Sequence, residues 1–403
     1  MRSWLSRRNA ALLAAALMGP FMVAGVSQAQ APQVQDPRRP AASAAPAYGQ
    51  RGDVMRFADE LAERHSELDG IWVREQLAQA RHVAASTRLI MPPAVGVAKN
   101  WAAYRARFIE RTRIEAGAAF WRTNQVWLDR AEARWGVPPE IVVGIVGVET
   151  LYGRITGNFR TLDALVTLSF DFPTGRSDRS AFFREQLEEL LLWCRREGRD
   201  PQSVIGSFAG AVGLPQFMPG SIRRYAVDFD DDGRIDLERS DNAADVIGSV
   251  AHYLAAFGWQ RGLPTHYPVV PPAGLVDRAI LLVPDIVPSF SPAQLVERGA
   301  ELGPDARAYE GLLALVELHN GDAAPSYVAG TSNFYAVTRY NWSSYYALAV
   351  IELGQAVAKA VPPRQDAPRT PEPGVPAPGL VTSPPPSSAA SAATPASAPT
   401  SAP

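Results

Sequence analysis

Residues 137–153 read VPPEIVVGIVGVETLYG, and this stretch decides the fold class. Pro138 and Pro139 suit a helix's first turn, where a missing N–H costs nothing. Glu140 stands where the helix dipole favours an anion. Ile141, Val142, Val143, Ile145, Val146, Val148 and Leu151 leave almost no polar face, so the helix is expected to be buried. Gly153 is the expected C-terminal stop. One ionisable group, Glu149, lies in the last turn of the apolar run. Desolvation and the negative end of the helix dipole both favour its protonated form. A carboxylic acid that holds its proton near neutral pH is what a general acid needs. The same stretch also suits a buried glutamate paired with Arg154 or Arg160, and these residues alone favour neither reading.

Outward from this helix, helical periodicity dominates. On the N-terminal side, VMRFADELAERH, GIWVREQLAQARHV and the long NWAAYRARFIERTRIEAGAAFWRTNQVWLDRAEARWG carry apolar residues at helical spacing. Trp101, Tyr104, Phe108, Phe120, Trp121 and Trp127 are core by default. Tyr104 is the one marked for stacking on a sugar ring. On the C-terminal side, RTLDALVTLSFDFP predicts a helix ending near Pro173, and SAFFREQLEELLLWCRREG another, stopped near Gly198. The segment GSFAGAVGLPQFMPGSI is dense in small residues. It suits either a cleft wall, with Ser207 and Gln216 as neutral hydrogen-bonding groups, or tight helix packing. NAADVIGSVAHYLAAFGW is an amphipathic helix bearing Tyr253. From Thr265 the stretches THYPVV, AILLVP, GLLALVELHN and SYVAG look strand-like, with SPAQLVERGAEL as a short helix between them. NFYAVTRYNWSSYYALAVIELGQAVAKA returns to helix, with apolar spacing at Leu348, Val350, Ile351, Leu353 and Val357. Tyr335, Tyr340, Asn341 and Trp342 at its start have a composition found on carbohydrate surfaces.

DFDDDGRIDL, residues 228–237, places Asp228, Asp230 and Asp232 at alternate positions, followed by Gly233, with Ile235 at the apolar position. These match positions 1, 3, 5, 6 and 8 of an EF-hand loop. The twelfth position holds Arg239 instead of glutamate, so a later oxygen falls to Asp236, Glu238, Asp241 or Asp245. Acidic groups this dense repel one another without a cation or water, which favours a structural Ca²⁺.

The chain has 403 residues, 47% of them hydrophobic and 20% charged, with a formal net charge of −2. That balance gives no electrostatic case for binding nucleic acid or an anionic membrane. The single cysteine, Cys194, excludes an intrachain disulfide and is expected in the core. Arg2, Arg7 and Arg8, the apolar run AALLAAALMGPFMVAGV and Ser27-Gln28-Ala29 form an export signal cleaved near Ala29. No cysteine follows it for lipid attachment, and no later stretch is long and apolar enough to span a bilayer. The expectation is a periplasmic protein without stable membrane insertion. Residues 30–50 are a Pro/Ala/Gln-rich linker. Residues 363–403, rich in Pro, Ala, Ser and Thr, cannot bury enough apolar surface to fold.

Five segments together, VPPEIVVGIVGVETLYG, TLDALVTLSFDFP, GSFAGAVGLPQFMPGSIRRYAVDFDDDG, DVIGSVAHYLAAFGW and NFYAVTRYN with ALAVIELGQAV, resemble the membrane-bound lytic murein transglycosylase B family, glycoside hydrolase family 103. They stand in the family's order over roughly residues 51–360. The resemblance implies a mainly α (α+β) protein with a lysozyme-like catalytic core (135–263), a flanking α-helical domain (51–134, completed by 333–362) and a small β domain (264–332). It implies non-hydrolytic cleavage of the β-1,4 bond from N-acetylmuramic acid to N-acetylglucosamine, leaving a 1,6-anhydro-N-acetylmuramic acid end. The family's single catalytic glutamate falls on Glu149, and its cleft residues on Tyr104, Ser207, Gln216, Tyr253, Tyr335 and Tyr340. Its calcium loop falls on Asp228, Asp230, Asp232 and the backbone carbonyl of Arg234, with Asp245 as final ligand. The chemistry needs no cofactor. The implied partners are peptidoglycan glycan strands, with other cell-wall enzymes as further candidates.

One glutamate is enough for such a reaction. Ordinary glycosidases use two carboxyls, whereas muramic acid carries its own nucleophile, the C6 hydroxyl. Asp163 and Asp171 are neighbours in sequence with no role assigned. Two rivals remain at this stage: a lysozyme-type hydrolase on the same fold, and a non-catalytic peptidoglycan-binding protein.

Overall fold

The computed structural model describes residues 47–91 and 99–361; the expected export signal, nearly all of the linker and the C-terminal tail lie outside them. The N-terminal third is helical: α1 (Gly52–Arg64), α2 (Gly70–Ala78), α3 (Ala84–Leu89), α4 (Trp101–Ala106), α5 (Arg111–Thr123) and α6 (Gln125–Trp135). The long run of helical spacing from Asn100 is divided into three helices. Glu110 makes the first break by capping α5, its carboxylate accepting the N–H groups of Thr112 and Arg113 at 2.7 Å each. Asn124 makes the second. Its buried amide donates to Phe120 O and Ser240 O and accepts the Ala243 N–H. That triple use fixes a bend which periodicity cannot reveal.

The opening stretch forms α7 (Pro139–Thr150), buried along nearly its whole length. It ends before the expected glycine stop. Leu151 and Tyr152 already take left-handed backbone at φ 50° and 57°, and Gly153 follows at 87°. The Thr150 hydroxyl accepts the Gly153 N–H at 3.1 Å and lies 3.1 Å from Leu214 O, tying the helix end to the small-residue segment. After β1 (Phe159–Arg160) come α8 (Thr161–Phe170) and α9 (Ser180–Arg196), as expected, with Cys194 fully buried in α9. β2 (Ile205–Gly206) pairs antiparallel with β1, Phe159 opposite Gly206. The chain then loops through Gly213 to α10 (Pro219–Tyr225) and α11 (Ala244–Ala256).

The β-containing part holds β3 (His266–Val270), α12 (Leu275–Leu282), α13 (Pro292–Glu297), β4 (Glu301–Leu302), α14 (Pro304–Ala308), β5 (Ala314–Asn320) and β6 (Ala323–Gly330). Its strands form an antiparallel sheet in the order β4-β3-β6-β5. The reading of AILLVP as a strand is corrected: those residues lie in and just after α12, which packs on β5. A short apolar run fits either state, and packing settles it here. A separate hydrophobic cluster centred on Leu281, Leu295, Leu302, Leu313, Leu315 and Ala329 serves this part alone.

The chain closes with α15 (Ser332–Asn341) and α16 (Ser344–Ala360), separated by Trp342 at φ 40°. α16 crosses α7 at very close range. A Cβ on Gly144 would stand 2.2 Å from Val350 O, and one on Gly354 2.0 Å from Glu140 O. Only glycine lets the two backbones meet this closely. The contact buries valine, isoleucine and leucine side chains worth about 1.5–3 kcal/mol each, and it fixes α16 against the helix carrying Glu149.

Candidate active site

Glu149 ends the apolar run, deeply packed yet partly open to solvent. Burial pushes its carboxyl up from 4.5 to about 7, and a hydrogen bond from the Tyr346 hydroxyl, 2.7 Å from Oε1, pulls weakly the other way. The alternative pairings with Arg154 or Arg160 do not occur. Arg160 is committed to Asp163 at 2.7 and 2.8 Å, and Arg154 forms no ion pair among the described residues. A cation does face the same helix end: the Arg113 guanidinium donates to Gly147 O, at the negative pole of α7.

The two neighbouring aspartates are structural. Asp163 takes Arg160 and the Arg81 N–H, while Asp171 takes the Tyr48 hydroxyl and Arg51, each at 2.6 Å. Neither belongs to the network around Glu149.

That network is aromatic. The Tyr340 ring stacks near Tyr346 at 6.1 Å and 14°, and lies 4.9 Å from Tyr253; Phe217 touches both Tyr253 and Tyr340. The hydroxyl ends are tied to backbone, Tyr253 to Arg339 O at 2.7 Å and Tyr340 to Pro215 O at 2.6 Å. Both are thus walls held in place by the protein. Burial raises the phenol pKa of Tyr104, Tyr253, Tyr340 and Tyr346, and the charge of Glu149 raises each further. Tyr346 touches the acid directly, with Tyr340 beside it and Tyr253 behind that. Tyr104 is half-buried against Trp101, Phe108 and Tyr345. Tyr335 stands apart, against Trp342 and Arg339.

Ser207 is buried, with its oxygen accepting the N–H groups of Ala209 at 3.3 Å and Ala211 at 3.0 Å. Its hydroxyl proton stays free to donate. Gln216 donates to Thr156 O at 3.2 Å and Gly213 O at 2.8 Å, from left-handed backbone at φ 50°. Leu151, Tyr152, Gln216 and Trp342 are four of the six non-glycine residues at positive φ among the described residues. Each such conformation costs about 1–3 kcal/mol and persists only where surrounding packing imposes it. Here the strain gathers on the segments that carry or face Glu149.

Tyr346 is the residue sequence reasoning missed. The apolar stripe of α16 was read from Leu348 onward. Extended one turn back, Tyr346 joins Val350, Leu353 and Val357 at spacings of four, seven and eleven on the face against α7. A fully buried tyrosine in such a stripe needs a partner for its hydroxyl.

In the acidic loop, Asp228, Asp230 and Asp232 each bring a carboxylate oxygen within 4.8 Å of the others. Asp228 accepts the N–H groups of Asp232 and Gly233, and Asp232 that of Arg234. Asp230 Oδ1 is buried without a partner. Three converging carboxylates with one orphaned oxygen fit a divalent cation with oxygen ligands. Asp245 lies outside this trio. Its oxygens accept the Phe229 N–H at 2.6 Å and the Asp236 N–H at 2.7 Å, joining both ends of the loop. Arg239, at the twelfth position, pairs with Asp241.

Residues 50–355 match the family described as Transglycosylase SLT domain. The chain is 38% identical over 333 residues to membrane-bound lytic murein transglycosylase B of Escherichia coli (strain K12), covering 78% of this chain and 84% of that protein. It is similar to the Escherichia coli lytic transglycosylase SLT35 solved in complex with calcium, at 37% identity and a TM-score of 0.68, over 81% of this chain and 99% of that one. It is also similar to SltB3 from Pseudomonas aeruginosa in complex with NAG-NAM-pentapeptide, at 28% identity and a TM-score of 0.62, over 75% and 79%.

Proposed function

Because the chain belongs to the transglycosylase SLT domain family, has its mostly helical lysozyme-like fold and acts as a lytic murein transglycosylase, we propose that Glu149 is the single acid and base of the reaction. The observation that carries this reading is a carboxyl with a pKa of about 7, hydrogen-bonded to one phenol, with no second carboxylate in its network among the described residues. Near neutral pH both protonation states are populated, which suits a group that must give a proton and then take one. Protonated Glu149 gives its proton to the glycosidic oxygen as that oxygen leaves C1 of muramic acid. The carboxylate then takes the C6 hydroxyl proton as O6 closes on C1. No water is consumed, and the enzyme returns to its starting state. Ser207 or Gln216 orients the N-acetyl group, whose carbonyl stabilises the positive charge at C1. Tyr104, Tyr253, Tyr335 and Tyr340 hold successive sugars.

We assign the chemistry to residues 135–263, with walls from 51–134 and 333–362. The separate hydrophobic cluster of the β-containing part supports treating 264–332 as its own domain. Asp228, Asp230 and Asp232 would hold a structural Ca²⁺, with the Arg234 carbonyl as a further ligand; the ion would cross-link the loop and take no part in bond cleavage. The calcium complex of SLT35 supports this reading. Glycan strands bearing peptides are the proposed partner, as in the NAG-NAM-pentapeptide complex of SltB3. The expected export signal supports a periplasmic site of action, and among the described residues no helix is long and apolar enough to cross a membrane.

Digestion of purified sacculi followed by mass spectrometry tests the reaction. Anhydro-muropeptides, one water lighter than hydrolysis products, are expected. Reducing muramic acid ends would show a hydrolase instead.

A further inference from the structure

Arg339, in the last turn of α15, is a cation without an anion. It forms no ion pair among the described residues, although most half-buried arginines here have a carboxylate or carbonyl partner. Its guanidinium carbon lies 4.5 Å from the Trp342 ring centroid, 5.2 Å from Phe257 and 5.5 Å from Tyr335. Of its five N–H donors, one reaches the Tyr335 hydroxyl, at 3.3 Å. Three rings therefore fix the group and strip much of its water, while leaving most donors unspent. Aromatic faces offset part of that desolvation but satisfy no N–H. A fixed, half-buried guanidinium with free donors is matched to a planar anion, above all a carboxylate held by two parallel hydrogen bonds.

Its place relative to the acid is short and continuous. The Arg339 carbonyl takes the Tyr253 hydroxyl, and the next residue is Tyr340, whose ring lies beside Tyr346, the partner of Glu149. Tyr335 and Arg339 lie one turn apart on α15, and Trp342, the residue that follows the helix, sets its ring against both. We propose that Arg339 binds a carboxylate of the peptide stem carried by muramic acid, and so makes the enzyme prefer peptide-bearing over naked glycan strands. The sugars themselves offer no free carboxylate, because the lactyl group of muramic acid is consumed in the amide to the stem. The inference rests on the proposed murein cleavage.

The test is the ratio of kcat/KM on peptide-bearing strands to kcat/KM on strands stripped of peptide by an amidase, with the lactyl carboxylates that this cut frees capped as methylamides. Arg339→Met is expected to lower that ratio about tenfold, the size of one lost charge-assisted pair. Arg339→Lys, which keeps the charge but not the fork, should lie between. An unchanged ratio in Arg339→Met, with thermal unfolding showing it folded, would overturn the assignment, since a purely structural role affects both substrates alike. A second measurement needs no variant: amidating the stem carboxylates should lower the wild-type ratio similarly, and no change would overturn the proposal too. Product masses are read in the same digests. Hydrolytic products with the ratio still falling would sink the Glu149 mechanism and leave the Arg339 assignment standing.

Discussion

The Tyr346 hydroxyl meets Glu149 Oε1 at 2.7 Å across 197 residues of chain, α16 presenting the phenol to the last turn of α7. A phenol that donates to a carboxylate favours the ionised form, so this bond pulls the Glu149 pKa down while burial pushes it up. Tyr346→Phe keeps the ring and removes the donor. The Glu149 pKa should then rise further, and the alkaline limb of kcat/KM, which follows loss of the acid's proton, should move to higher pH. Below that limb the step in which Glu149 gives its proton to the glycosidic oxygen should slow, because the carboxylate it leaves has lost its donor. A pH–rate profile unchanged from wild type would show that the bond does not tune the acid.

The raised pKa also has a cost in stability. The folded protein holds the Glu149 proton up to about pH 7, whereas the unfolded chain releases it near the ordinary value of 4.5. Stability is therefore highest below pH 4.5 as far as this group is concerned, falls as pH rises through the window to 7, and is level above it. The loss is about 3 kcal/mol at most. Glu149→Gln removes it. The variant should melt above wild type at pH 8, and the difference should vanish near pH 4. Turnover should drop roughly 10²- to 10⁴-fold, the usual weight of a general acid. A melting difference independent of pH would refute the raised pKa.

The acidic loop separates two roles. Asp230 has an orphaned oxygen, whereas both oxygens of Asp245 are taken by backbone N–H groups. Calcium should raise the melting temperature of the wild-type protein, by about 2.7 kcal/mol of stability at a hundredfold excess over Kd. Asp230→Asn should abolish that gain with little effect in chelator. Asp245→Ala should cost about 2–4 kcal/mol with or without calcium, because it leaves two N–H groups unpaired. Calorimetric melts in EDTA and in millimolar CaCl₂ distinguish the two.

Much of this was legible in the chain itself. The run from Ile141 to Val148 reads as a buried helix, and the aspartate spacing as an EF-hand-like loop. What escaped had no local signature. Tyr346 belongs to the site through a helix crossing, and a contact between residues so far apart leaves no periodic trace near Glu149. The end of α7 at Leu151 depends on how Thr150 grips Leu214, not on the presence of Gly153. α12 was misread because apolar β-branched residues suit a strand until packing on β5 decides otherwise. The placement of Asp245 outside the carboxylate trio is likewise set by backbone geometry that spacing does not encode.

The last expectation concerns the crossing that makes the site. A Cβ at Gly354 would stand 2.0 Å from Glu140 O, a contact with backbone that no side-chain rotation can relieve. Gly354→Ala must push α16 away from α7, at a cost of about 1–3 kcal/mol or more. Because Tyr346 rides on α16 and Glu149 on α7, the same shift should lengthen their hydrogen bond. Activity measured well below the melting temperature should therefore fall, beyond what the unfolded fraction explains, with the pH profile displaced in the direction expected for Tyr346→Phe. Gly303→Ala, where an added Cβ meets nothing within 4 Å, is the matched control and should change neither property. Equal behaviour of the two variants would mean that the close crossing does not hold the acid in place.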